Sequence, residues 1–272
     1  MTDPHPSTGF TSYHVHTKWS DGAETVASTV ARAAALDLDE VGISDHFVLH
    51  PSGVALEWSM PTERLDEYTR DIMTVAASAP LPVRLGIESD FIPETAEETI
   101  RRLDRCPFDY RIGSVHFIDG FPVDEHSRFW EGLSQEEADD KWRDYYRRVI
   151  LMAQSGGFDI VAHLDLPKKF GRYPVADLSA DARHALDAIR DSGMAMELNT
   201  SGRYQTAREA YPSPWHLREA KRRGIPVLIT ADAHNPANLN RDFRAAADLL
   251  REAGYTEVTR FSGREQIRTP LG

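Results

Sequence analysis

The chain has 272 residues and a single cysteine, Cys106, so an intramolecular disulfide and a thiolate metal site are both excluded. It also lacks any apolar run near the ~20 residues needed to span a membrane. The opening stretch MTDPHPSTGFTSY has neither the basic nor the apolar region of a signal peptide. These absences lead us to expect a cytoplasmic protein with no membrane partner. Basic residues are in the minority, with 31 Lys and Arg against 43 Asp and Glu for a net charge of −12. That balance argues against stable nucleic-acid binding, which rests on neutralising phosphates. We see no internal repeat, low-complexity segment or linker, and nothing in these features specifies an oligomeric state. Histidine, by contrast, occurs 11 times.

Hydrophobic residues make up 41% and charged residues 27%, the range of an ordinary globular chain. An α/β barrel uses about 250 residues in one core. We therefore expect a disordered tail over residues 1–9 and one barrel domain over 10–272. β-rich runs alternate with longer helix-period stretches. The strands read as Ser12–His16, Glu40–Ser44, Val83–Glu88, Tyr110–His116, Asp159–His163, Met194–Asn199 and Pro226–Thr230. The helices read as Thr25–Leu36, Thr62–Ser78, Ala96–Arg105, Gln135–Ser155, Ser179–Asp191, Pro214–Arg223 and Asn240–Ala253. Strand then helix, seven times over, implies a parallel sheet. Ser134 and Glu137 have capping-box spacing, and Gly156, Gly193, Gly224 and Gly254 each stand where a left-handed helix terminus is wanted.

The longest interruption, 117–132 (FIDGFPVDEHSRFWEG), follows one strand and precedes the longest helix. In a parallel barrel it lies at the C-terminal face, where active sites are built. The strand ends are rich in metal-ligating residue types: His14 and His16, Asp45 and His46, Glu88, His116, His163 with Asp165, and Asp232 with His234. Singly, each suits a structural histidine or a solvated carboxylate. A barrel, however, gathers those ends at one rim, and residues two apart on a strand share a face. Imidazole suits Zn, Fe or Mn, and the carboxylates shift the preference towards harder ions. Asp21, in HTKWSDG, is either a further ligand or a turn residue. His5, His50, His126, His184 and His216 fall in the tail, loops or helices and receive no role.

The ordered series YHVHTKWSDG, GISDHF, GIESDF, DYRIGSVHFIDG, VAHLDLPKKFG, MELNTSG, EAYPSP and ITADAH resembles the polymerase-and-histidinol-phosphatase (PHP) family, and within it the histidinol-phosphatase branch. The resemblance spans residues 12–236. It implies a distorted (β/α)7 TIM-like barrel with three divalent or mixed-valence transition-metal ions at the C-terminal rim. His14, His16, Glu88 and Asp232 would hold the first ion. Glu88 would bridge to a second, completed by His116 and His163, and Asp21, His46 and His234 would hold the third.

Three divalent ions set against three carboxylates leave a positive cluster, complementary to a phosphate monoester that is nearly dianionic at pH 7. The implied reaction is hydrolysis of L-histidinol phosphate, a step of histidine biosynthesis. Asp232 would orient the nucleophile, Asp45 would support the ligands and Asp165 could protonate the leaving alcohol. Arg203, Lys168, Lys169 and Arg172 are candidates for the phosphate, and Asn199 for the rest of the substrate. Three other readings share parts of this pattern. A PHP phosphoesterase could act on nucleoside monophosphates or short nucleotides. An amidohydrolase would normally add a bridging lysine, where this chain has Glu88. A non-catalytic metal-stabilised module should have lost ligands, and all nine are present here.

Overall fold

The computed structural model describes residues 9–271, so the tail expected over 1–9 lies outside the described residues apart from Gly9. Seven strands follow one another around the core: β1 (Thr11–Ser12), β2 (Glu40–Ile43), β3 (Val83–Asp90), β4 (Tyr110–Ser114), β5 (Ile160–Val161), β6 (Ala195–Asn199) and β7 (Val227–Thr230). Each pairs in parallel with the next. The short strand His46–Phe47 joins the C-terminal half of β3, setting His46 opposite Glu88. A lone parallel bridge between Val15 and Ala233 nearly closes the circle. The expected distorted (β/α)7 barrel is therefore present, with β1 and β5 shorter than the sequence suggested.

Helix boundaries follow the local chemistry. The capping box at Ser134 and Glu137 is formed, and helix Gln135–Gln154 follows it. Gly156, Gly193, Gly224 and Gly254 all have positive φ, as the helix ends require. The barrel interior is filled by Tyr13, Tyr110, Ile112, Ile160, Ala162, Ala195 and Leu228. Tyr110 is the reason for two glycines. A Cβ at Gly42 would lie 2.1 Å, and one at Gly86 2.2 Å, from the Tyr110 side chain, so β2 and β3 leave room for its ring.

The largest element that escaped the sequence reading is at the C-terminal end. Glu257–Ser262 (β8) and Glu265–Pro270 (β9) form an antiparallel hairpin. Its turn residues Gly263 and Arg264 both have positive φ, the requirement of the tight two-residue turn. β8 inserts the buried Phe261 among the barrel-lining residues. Around it Arg260 pairs with Asp39 at 2.6 Å, and Arg264 with Asp159 at 3.0 Å. The hairpin closes the N-terminal mouth of the barrel. Its polar second strand is mostly exposed and lacks clean alternation, which hid it in the sequence.

Candidate metal centre

The Val15–Ala233 bridge brings two pairs of ligand-type residues face to face. His14 and His16 flank Val15, while Asp232 and His234 flank Ala233. Asp232 has a left-handed backbone, φ 51°, a conformation that costs energy and concentrates at functional sites. The rings of His16 and His234 stack with centroids 4.1 Å apart.

Glu88, buried on β3, is the hub. Its Oε2 lies 3.0 Å from His14 Nε2, 3.4 Å from His16 Nε2 and 2.9 Å from His46 Nδ1. Its Oε1 faces the other way, 3.4 Å from His163 Nε2 and 3.8 Å from His116 Nε2. Asp232 Oδ1 is 3.2 Å from His16 Nε2 and 3.6 Å from His14 Nε2. Asp21 completes a third group, with Oδ2 3.2 Å from His234 Nε2 and Oδ1 3.9 Å from both His16 and His46. Potential ligand atoms converge within 4.8 Å of one another in three sets: His16, Asp21, His46 and His234; His14, His16 and Glu88; and His46, Glu88 and His116.

The donor set fits divalent cations. His14 Nε2, His16 Nε2 and Glu88 Oε2 are buried, point at one another and have no hydrogen-bond partner among the described residues. Burying such groups without a partner is costly, and an ion would satisfy them together. Without an ion, protons take over part of this role. Burial opposes charge on His14, but Glu88, Glu197 and Asp232 outweigh it and raise its pKa well above 6.5. Burial and the neighbouring His234 and His46 depress His16 to about 3. Glu88, despite its burial, is held well below 4.5 by His14 and His46.

Two supporting carboxylates were not anticipated. Glu197, fully buried on β6, accepts from His14 Nδ1 and Thr230 Oγ1 at 2.8 Å each, from His163 N at 2.8 Å and from Asn199 Nδ2 at 3.0 Å. Asp90 lies 2.7 Å from His116 Nδ1. Such outer carboxylates fix the orientation and tautomer of a ligating histidine. The signal was available, because Glu197 stands two residues before Asn199 and Asp90 two after Glu88, on shared faces.

A cleft of about 470 Å³ opens above the cluster and is lined by Asp21, His46, Glu88, His116, His163, Asp232 and His234. The 117–132 loop contributes Phe117, Pro122, Asp124 and Glu125, in keeping with its expected place at the active face. Several residues expected at the substrate are elsewhere. Asp45, expected instead to support the ligands, is buried and accepts from Thr17 N, Thr17 Oγ1, Ser20 N and Ser20 Oγ, which folds the loop carrying Asp21. Lys168 is buried with Nζ 2.8 Å from Asp165, 2.7 Å from Glu209 and 2.7 Å from Ala210 O. That ion pair takes both Lys168 and Asp165 out of the cleft. Arg172 donates to Leu133 O, and Arg203 lies 3.7 Å from Asp242; neither lines the cleft. Asn199 donates to Glu197 and, at 3.2 Å, to Asp232, so it orients carboxylates. Lys169 does line the cleft, bound to Asp124 at 2.9 Å.

Comparison with known proteins points to one family. The PHP domain family model matches residues 12–201. A probable histidinol-phosphatase of Deinococcus radiodurans is 36% identical over 93% of this chain and 96% of its own. The histidinol-phosphatase of Bacillus subtilis is 28% identical over 85% of this chain and 96% of its own. A crystal structure of histidinol phosphate phosphatase from Lactococcus lactis, complexed with zinc, L-histidinol and phosphate, superposes with a TM-score of 0.79 at 24% identity, covering 95% of this chain and 99% of that one. At that identity the superposition speaks for the fold. With a family model matched over most of its length and a relative of 36% identity end to end, this chain belongs to the PHP domain family.

Proposed function

We propose that the chain is a metal-dependent phosphomonoester hydrolase whose substrate is L-histidinol phosphate, which it converts with water to L-histidinol and phosphate. The observation that carries this reading is Glu88, a buried carboxylate whose two oxygens face two separate groups of histidines. The histidinol-phosphatase names of relatives aligned over nearly their whole length support the substrate.

In this reading the ligands are His14, His16, Asp21, His46, Glu88, His116, His163, Asp232 and His234, and they hold three ions of Zn, Fe or Mn. When bound, the ions would activate a water for attack on phosphorus and neutralise the phosphoryl oxygens. The chain's own residues do the positioning. Asp232 has its Oδ2 facing Asn199 Nδ2 and Ser201 Oγ, with Oδ1 turned to the histidines, so one oxygen stays fixed while the other addresses the nucleophile. Glu125 borders the cleft, where it would meet the ammonium or imidazole of histidinol. Residues 10–272 act as one cytoplasmic barrel domain.

The test is phosphate release from L-histidinol phosphate, with AMP as comparison, alongside metal analysis of the same preparation. We expect about two to three metal equivalents and chelator-sensitive release that favours histidinol phosphate. His116→Ala and Asp232→Asn should each lose at least a few orders of magnitude in turnover. Full activity in a demetallated sample would overturn the reading.

A further inference from the structure

We propose that Arg241 binds the phosphoryl group of the substrate, a role that rests on the phosphatase reading above and for which the sequence offered Arg203, Lys168, Lys169 and Arg172. The two arginines differ in what surrounds them. Asp242 takes Arg203 at 3.7 Å and also accepts from Tyr204 Oη at 3.1 Å. Arg241, beside it in the chain, lines the cleft with Asp232 and His234. Among the described residues no carboxylate forms an ion pair with it, and its shielded Nε has no hydrogen-bond partner. Of the Lys and Arg side chains on the cleft wall, Lys169 is neutralised by Asp124, so Arg241 supplies the uncompensated charge.

The guanidinium is also held in place before any ligand arrives. Its carbon sits 3.9 Å over the Tyr204 ring, and that ring is pinned by the Tyr204–Asp242 hydrogen bond. The Arg241 carbonyl accepts from Thr200 Oγ1 at 2.8 Å, tying the backbone to the end of β6. A stacked guanidinium keeps its planar fork of donors free, the geometry that matches two oxygens of a phosphate. Because Asp232 and His234 share that wall, a phosphoryl group at the cluster would present its outer oxygens towards Arg241.

The experiment uses the metal-loaded protein and its Arg241→Met and Arg241→Lys variants. Calorimetry measures binding of inorganic phosphate, and kinetics measures hydrolysis of L-histidinol phosphate and p-nitrophenyl phosphate. We expect Arg241→Met to weaken phosphate binding at least tenfold and to lower kcat/KM on both esters by a similar factor, because the phosphoryl group is common to them. Arg241→Lys should recover part of both losses, and metal content should stay at the wild-type level. Wild-type phosphate affinity in Arg241→Met would overturn the assignment, as would a loss confined to histidinol phosphate. A wild-type holoenzyme that hydrolyses neither ester would instead overturn the phosphatase reading.

Discussion

Replacing Glu197 by glutamine exchanges one oxygen of a buried carboxylate for an NH2 group and changes nothing else in size. All four partners of Glu197 approach it as donors: His14 Nδ1, Thr230 Oγ1, His163 N and Asn199 Nδ2. A carboxylate accepts at both oxygens, whereas glutamine accepts at one. If the new NH2 takes the Oε1 position it meets the fixed backbone N–H of His163. If it takes the Oε2 position it forces His14 Nδ1 to accept, which moves the imidazole proton to Nε2, the nitrogen 3.0 Å from Glu88. Either arrangement leaves a buried donor unsatisfied or disables a proposed metal ligand. An unmade buried hydrogen bond costs about 1–3 kcal/mol, or roughly five- to 150-fold in an equilibrium constant. Loss of an outer-shell partner of a ligating histidine costs about 10- to 100-fold in metal affinity, so the two magnitudes agree. The assay is metal titration against a competing chelator, together with circular dichroism to confirm the fold. We expect Glu197→Gln to bind its metals about 10- to 100-fold more weakly than wild type. Affinity within twofold of wild type would refute the account of Glu197 as the group that fixes His14.

Phe261→Ala empties the plug of the barrel, where Phe261 meets Tyr13 at 6.4 Å and Tyr110 at 6.2 Å between ring centroids. The change should cost about 3–5 kcal/mol. At about 2–4 °C per kcal/mol for a chain near this size, Tm falls by roughly 6–20 °C. Turnover of the folded enzyme should stay near wild type because the metal cluster lies at the opposite mouth, and a Tm within about 2 °C would count against the plug. Asp45→Ala releases the loop that delivers Asp21, so elemental analysis should show loss of about one metal equivalent, with the remainder retained; unchanged stoichiometry would sink this role. In the metal-free protein, burial disfavours charge on His116 and His234. Asp90 and Asp124 nevertheless raise His116 to about 10, and Asp21 and Asp232 raise His234 to about 9. Metal uptake must then displace protons, and calorimetry in buffers of different ionisation enthalpy at pH 7.5 should register their release. The same raised pKa of His116 stabilises the metal-free fold fully below about pH 6.5, and that contribution disappears as pH rises through about 10.

Much of the candidate site could be read in the chain because it depends on local rules. His14 and His16, and Asp232 and His234, are two apart and flank the bridged residues Val15 and Ala233, so strand geometry alone aims each pair at one face. Positions such as Glu88 and His116 follow from strand ends meeting at one rim of a parallel barrel. The supporting carboxylates Glu197 and Asp90 obey the same two-residue rule and were within reach of it. The basic residues were not. Whether Arg203, Lys168 or Arg241 keeps a free charge depends on Asp242, Asp165 and Glu209, and the side chains of these acids are placed by packing between separate segments.

The sequence by itself determined the alternation of strand and helix, the helix caps and the ligand-type residues at the strand ends, because period, capping and strand parity are short-range, while Asp21 entered the set through the family resemblance. The tertiary structure alone decided that Glu88 faces two groups of histidines, that a C-terminal hairpin plugs the barrel with Phe261, and that Arg241 lines the cleft with no ion-pair partner among the described residues. Each of these depends on which distant groups share a buried space, where an unpaired charge or polar atom is expensive, and no local pattern encodes that neighbourhood.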